Sequence, residues 1–198
     1  MTDADGNPPG TRRLFVAAWP GPALRAELAD AFPALRNIGA PVRWVPAENL
    51  HVTLQFPGDV QVSRLTELAD ALRNALQDAT AFSVRLAGLG TFPEHGAPRV
   101  FWVGFADGAR ELAALASVTG RALLPGGFVS APLRPFRAHV TLGRSKGPRG
   151  LERLATFVKE WSPKGGVHTL AEVRLVESRL TPRGAVYAPV ARFPLREA

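Results

Sequence analysis

The sequence predicts an α+β fold of two pseudo-symmetric lobes. Each lobe is a mainly antiparallel sheet with helices on its outer face, and an active-site groove lies between them. Three observations carry this prediction. The tetrapeptide His-Val-Thr-Leu occurs twice, at residues 51–54 and again 88 residues later at 139–142. Each copy lies in a stretch that alternates polar and apolar residues with period two, the signature of a half-buried strand. The strand and helix patterns around the first copy recur in the same order, at nearly the same offset, around the second. Two repeats are too few for a solenoid, whereas a pair of lobes brings both copies to a shared cleft, where ligand sites tend to form.

The elements follow in order. Residues 13–19 (RLFVAAW) form a short apolar run closed by Pro20-Gly21, a buried strand. Pro22 opens a helix to about Leu35, with Leu24, Leu28 and Ala31 on one face. A loop over 37–48 leads into the first motif strand. There His51, Thr53 and Gln55 share one face and Leu50, Val52, Leu54 and Phe56 the other, and Pro57-Gly58-Asp59 stops the strand. Residues 63–77 carry Leu65, Leu68, Leu72 and Leu76 at helical spacing. A strand over 82–89 and a loop over 90–98 complete the first half. The second half repeats the order. It has a strand over 100–105, a helix over 109–123 and a loop over 125–136. In the second motif strand His139 and Thr141 oppose Val140 and Leu142. A helix over 151–161 follows, then strands over 170–177 and 186–193, joined by a turn over 179–184. Residues 1–11, polar with Pro and Gly at 1–10, read as a flexible tail, and 12–198 as one bilobal domain with internal duplication.

A hydrophobic fraction of 46% belongs to a globular chain rather than a disordered one. There is no cysteine, so disulfides, thiol nucleophiles and Cys-based zinc sites are excluded together. The first residues lack the basic start and apolar run of a signal peptide, and no window is long enough to span a membrane. A cytoplasmic, monomeric protein with no membrane partner is expected. The net charge of +7 favours anionic partners, nucleic acid first.

Two motif strands side by side present two imidazoles and two hydroxyls to one groove. Packing alone gives no reason to place His-x-Thr there twice. Two His without a carboxylate or Cys make an incomplete metal shell, and neither a serine elbow nor a His-orienting carboxylate is evident. A paired general acid and general base fits well. Imidazole titrates near neutrality, so one ring can be neutral while the other is protonated. In-line displacement at phosphorus needs such a pair on the attacking and leaving oxygens, each role contributing ~10²–10⁴-fold. The Thr53 and Thr141 hydroxyls can donate to non-bridging phosphate oxygens. No metal or cofactor is expected. His95, in a Gly/Pro loop, and His168, ahead of a strand, have no matching partner and read as incidental.

The doubled motif resembles that of the 2H phosphoesterase superfamily. Within it, the sequence is most similar to the bacterial RNA 2′,3′-cyclic phosphodiesterases, also called 2′-5′ RNA ligases. The stretch 43–50 (RWVPAENL), Gly90-Thr91-Phe92-Pro93, the strand 99–104 and the ending at 178–180 with Gly184 and Tyr187 carry the likeness, which runs from about Arg12 to Leu195. One departure is Ala138, where the family usually has Pro; altered loop rigidity rather than lost activity is expected. The resemblance implies hydrolysis of an RNA 2′,3′-cyclic phosphate end to a 2′-phosphate. His51 would be the general acid, His139 the general base, and Thr53 and Thr141 the phosphate ligands. It also implies that tRNA halves can be joined by the same chemistry in reverse. Basic residues then acquire a place: Arg43 before the first motif, and Arg134, Arg137, Arg144, Lys146 and Arg149 around the second, suit an RNA backbone with salt-sensitive binding. Trp44, Phe56, Phe92 and Phe136 are candidates to stack a base. Two alternatives stay open: a phosphodiesterase acting on small cyclic nucleotides or ADP-ribose cyclic phosphate, and a non-catalytic RNA-binding module.

Overall fold

The computed structural model describes residues 8–131, 135–181 and 184–197. Strand β1 (Thr11–Ala18) is followed by helices α1 (Pro22–Asp30) and α2 (Phe32–Asn37), then the short strand β2 (Val42–Trp44) and the first motif strand β3 (Val52–Gln61). Helix α3 (Leu65–Leu76) leads to β4 (Phe82–Phe92), β5 (Val100–Asp107) and α4 (Ala109–Leu123). The second motif strand β6 (Val140–Ser145) is followed by α5 (Glu152–Glu160), β7 (Val167–Leu170), β8 (Glu172–Thr181) and β9 (Gly184–Pro194). Among the described residues no helix is long and apolar enough to cross a membrane.

The strands form two antiparallel sheets, in the orders β3-β1-β8-β9 and β2-β6-β5-β4-β7. The repeat offset carries β1 onto β5, β3 onto β6 and β4 onto β8. The sheets, however, do not each take one repeat. β4 leaves its own repeat to pair with β5, and β8 crosses back to pair with β1. Of the three equivalent pairs, each sheet thus holds two strands of one repeat and the third strand of the other, with β9 added to the first sheet and β2 and β7 to the second. Helices knit the lobes in the same way: α4, which follows β5, packs on β3 of the opposite sheet. One continuous apolar core runs through both lobes, from Leu14 and Val52 to Val103 and Leu142, with Leu68, Leu72 and Leu112 of the helices. Each such buried side chain is worth ~1.5–3 kcal/mol. Because this core is shared, neither half can fold its sheet without the other.

Several local features differ from the sequence reading. The first helix is two helices, because Pro33 lacks the N–H a continuous helix needs there and its ring clashes with the carbonyl one turn back. The expected loop over 37–48 contains β2, which adds an edge to the second sheet and sets Arg43 directly opposite Arg144. Pro57-Gly58-Asp59 does not stop β3. That strand is a sheet edge, so the proline costs no ladder bond, and Gly58 takes the left-handed backbone (φ +74°) that lets the chain continue through an irregularity opposite Phe15. Extra strand β7 precedes β8, and His168 lies within it.

Both motif strands also carry a bulge that period-two reasoning cannot see. Neighbouring residues Val16 and Ala17 face Gln55 and Thr53, so Leu54 is one residue too many on β3. Likewise Phe101 and Trp102 face Gly143 and Thr141, so Leu142 is the extra residue on β6. The repeat therefore duplicates a backbone irregularity as well as side chains. Its consequence is that Gln55 turns away from His51 and Thr53, donating from Nε2 to the Ala116 carbonyl of α4 at 2.6 Å. Phe56, expected in the core, is turned out and 52% exposed.

Candidate active site

His51 stands at the start of β3 with its ring half-buried against the groove face of the first sheet. Its Nδ1 lies 2.7 Å from the Asn49 carbonyl. A carbonyl only accepts, so Nδ1 carries the proton and Nε2 is the atom left for chemistry. Nε2 lies 3.1 Å from the Thr53 hydroxyl. His139, at the start of β6, repeats the arrangement: its Nδ1–H donates to the Arg137 carbonyl at 2.7 Å. In both copies the anchor is the backbone oxygen two residues upstream, and both Nε2 atoms are released. The motif strands touch where the lobes meet, and the charge of His139 is felt at His51.

Aromatic rings hold each imidazole in place. Around His51 are Phe15 (centroids 4.7 Å), Tyr187 (5.4 Å, edge-on) and Trp19 (5.8 Å, stacked). Around His139 are Phe92 (5.1 Å, edge-on) and Trp102 (6.0 Å). Each tryptophan is in turn covered by an arginine: Arg174 lies 4.5 Å from Trp19, and Arg137 lies 4.5 Å from Trp102. Both indole N–H groups are buried without an acceptor among the described residues. Burial pushes His51 down to about 4, against the carbonyl of Asn49, which favours the charged ring, and with a smaller push from His139. His139 is also lowered, by burial first and then by Arg137 and Arg144, with the Arg137 carbonyl opposing. The Tyr187 hydroxyl is raised by burial, with Arg144 opposing.

Arg144 sits at the junction of two cavities. One, of about 540 Å³, is lined by Arg43, Trp44, Asn49, Arg144 and Tyr187 beneath the β8–β9 hairpin. The other, of about 920 Å³, is lined by Phe92, Arg99, Arg144 and Lys146. Arg43 and Arg144 are cross-strand neighbours, a like-charge pairing that costs stability unless an anion joins them. An apolar hollow of about 410 Å³ beside Ala79 and Leu115 has neither histidine in its walls.

The structure thus sets His51 and Thr53 together, brings their strand into contact with the strand of His139 and Thr141, and places Arg144 within electrostatic reach of His139, with Arg43 across the strand from Arg144. It places other candidates differently. Arg137 contributes its carbonyl to His139, while its guanidinium pairs with Glu94 and covers Trp102 and Phe92. Phe92 is a wall for His139. Phe56 stands five residues along β3 from His51, with Arg13 over its ring at 5.2 Å, outside the aromatic set around either imidazole. Trp44 packs on Phe32 and Phe101 while lining the 540 Å³ cavity. Phe136 packs against the core. Arg149 is exposed, and Arg134 lies outside the described residues. His168 is not incidental: its Nε2 meets buried Glu27 at 2.5 Å, fastening α1 to β7.

Phe15, Trp19, Asn49 and Arg174 escaped the sequence reading. An apolar strand gives no sign of which face will meet a motif histidine. Asn49 acts through its backbone, which no residue type announces. Among the described residues no group of three or more His, Asp or Glu side chains is placed to hold a metal.

Comparison with known proteins places this geometry. The model of the LigT-like phosphoesterases matches residues 19–102, which include the first motif. A protein of Methanothermobacter thermautotrophicus named RNA 2′,3′-cyclic phosphodiesterase is 32% identical over 184 residues, 92% of this chain and 98% of that one. The protein of the same name from Thermus thermophilus is 36% identical over 93% of this chain and 90% of its own. The crystal structure of TT0787 of Thermus thermophilus superposes with a TM-score of 0.78 at 28% identity, covering 93% of this chain and 98% of its own. That of E. coli LigT complexed with 3′-AMP gives 0.73 at 25%, with the same coverages.

Proposed function

The chain belongs to the LigT-like phosphoesterase family, and from that premise we propose that it hydrolyses RNA 2′,3′-cyclic phosphate ends to 2′-phosphates by paired imidazole catalysis. The observation that carries this reading is the matched anchoring of the two rings. Each Nδ1–H is committed to a backbone carbonyl, so each Nε2 is free to move a proton at one phosphorus atom.

The roles follow from the surroundings. A base must be neutral, and burial first, then Arg137 and Arg144, disfavours the charged form of His139. His139 Nε2 takes a proton from water as the water oxygen bonds to phosphorus. An acid must arrive protonated. His51 sits in an aromatic cage where charge is costly, so a phosphate anion beside it restores its proton strongly. His51 Nε2–H then gives that proton to the 3′ oxygen as the P–O3′ bond breaks. Thr53, Thr141 and Arg144 hold the non-bridging oxygens. With a 5′-hydroxyl in place of water, the same groups join RNA ends: His139 takes the hydroxyl proton as O5′ bonds to phosphorus, His51 protonates the departing 3′ oxygen, and a 2′-5′ bond results, for which tRNA halves are suitable substrates.

The test is turnover of an oligonucleotide ending in a 2′,3′-cyclic phosphate with EDTA present. Full activity is expected, with a 2′-phosphate product. Activity that disappears and returns with added metal would sink the proposal.

A further inference from the structure

A smaller cavity, of about 200 Å³, lies behind Tyr187 and takes no part in the steps above. Its walls include Arg25, Arg174 and Arg192, together with Trp19, Tyr187 and the single carboxylate Glu48. Arg174 is firmly placed: it lies on the Trp19 ring and donates from Nε to Glu172 at 2.7 Å, with only 17% of its side chain exposed. Glu172 also reaches Arg192 at 3.7 Å, so one carboxylate serves two guanidinium groups. Arg25, half-buried on α1, has no ion pair among the described residues. Cations therefore outnumber acids in a concave site, and their planar forks match phosphate oxygens.

Position gives the pocket its meaning. Trp19 and Tyr187, two of its walls, are two of the three rings against His51. Tyr187, Glu48 and Asn49 also line the 540 Å³ cavity beside Arg144, so the two spaces share a sill. Asn49, whose carbonyl anchors His51, lines both spaces, so the pocket opens beside the ring that would face the cyclic phosphate. We propose that the pocket binds the phosphodiester immediately 5′ of the terminal nucleotide, so that the enzyme recognises an RNA end as part of a polymer. This rests on the reading that the cyclic phosphate sits between His51 and His139.

The experiment compares two dinucleotides, each ending in a 2′,3′-cyclic phosphate, one with an ordinary internal phosphodiester and one with a neutral methylphosphonate there. The parent protein should prefer the charged linkage in kcat/KM by about tenfold, as expected for one charge-assisted contact. In the Arg25→Ala/Arg192→Ala double variant the preference should fall below about twofold. The Arg25→Lys/Arg192→Lys variant should keep part of it, since charge remains without the fork. Should the double variant fold poorly, Arg192→Ala alone, at a mostly exposed position, should still lower the ratio. A parent protein indifferent to the linkage, or a preference unchanged in the variants, overturns the proposal. If neither dinucleotide turns over, the catalytic reading fails instead. The same ratio is then read from equilibrium binding of the two molecules, which decides on the pocket by itself.

Discussion

His51 and His139 share a motif, an anchor and a bulge, yet differ in electrostatic company. Three aromatic rings surround His51, where the smallest contribution to its lowered value comes from His139 when that ring is charged. His139 has two aromatic neighbours and two arginines. Both rings are held below the ordinary imidazole value in the free protein by burial first, but Arg137 and Arg144 add to the effect only at His139, so the two should answer an anion differently. At His51 the cost is mostly burial, which a nearby phosphate offsets. At His139 the arginines share that phosphate and continue to oppose protonation. In the proposed mechanism, a duplicated scaffold thereby acquires two unequal proton carriers by varying only what packs around each ring.

The comparison breaks most sharply at the histidines themselves. His51→Ala and His139→Ala should each lower kcat on a cyclic-phosphate RNA by ~10²–10⁴-fold. An aryl phosphodiester, whose leaving group needs no proton, separates their roles. His139→Ala should remain impaired on it, whereas His51→Ala should recover most of the parent rate. Recovery in the opposite variant would exchange acid and base. Next in size are the hydroxyls: Thr53→Val and Thr141→Val should each cost ~10²-fold in kcat, the usual loss for one donor to a developing phosphate charge. A change in KM alone would make them binding groups without a role in the transition state.

Stability offers a gentler probe of the same asymmetry. His51 takes its proton near pH 6.5 when unfolded and near 4 when folded. Between those values the unfolded chain binds more protons, so stability should fall as pH drops from about 6.5 towards 4, by at most about 1.4 kcal/mol per pH unit for this group. His51→Asn should flatten that part of the curve in denaturant titrations at several pH values. An unchanged slope would mean that burial at His51 is not what depresses it.

How much of this was legible in the sequence depends on the scale of the feature. The doubled His-x-Thr, the order of elements and the span of α4 could be read from residue pattern, because periodicity reports one-sided burial. The exchange of β4 and β8 between sheets could not, since pattern tells that a strand is buried but not which neighbour covers it. Likewise, His51 and Thr53 were assigned to one face correctly while Gln55 was not. Alternation holds until a residue is inserted, and Leu54 fits the core equally well in either register. The partner of His168 was hidden because Glu27 lies on a distant helix whose packing across the lobes follows from the strand exchange.

The bulges give the last and smallest test, at two positions that the repeat makes equivalent. Gln55 and Gly143 each follow the extra leucine. Gln55 uses its length to reach the Ala116 carbonyl, tying β3 to α4. Gly143 has no such space. A Cβ there would lie 2.6 Å from the Trp44 ring and 2.7 Å from a Val42 methyl, the two residues of β2 on either side of Arg43. Gly143→Ala should therefore destabilise the protein by about 1–3 kcal/mol through overpacking. It should also weaken salt-sensitive RNA binding, because displacing β2 moves Arg43 away from Arg144. Gln55→Ala should cost only about 1 kcal/mol, the value of one hydrogen bond, and leave RNA affinity within twofold, since nothing on the groove face moves. Equal effects from the two substitutions would mean that the repeated bulge aims the histidines in the same way on both sides and that β2 contributes nothing to holding the arginine pair.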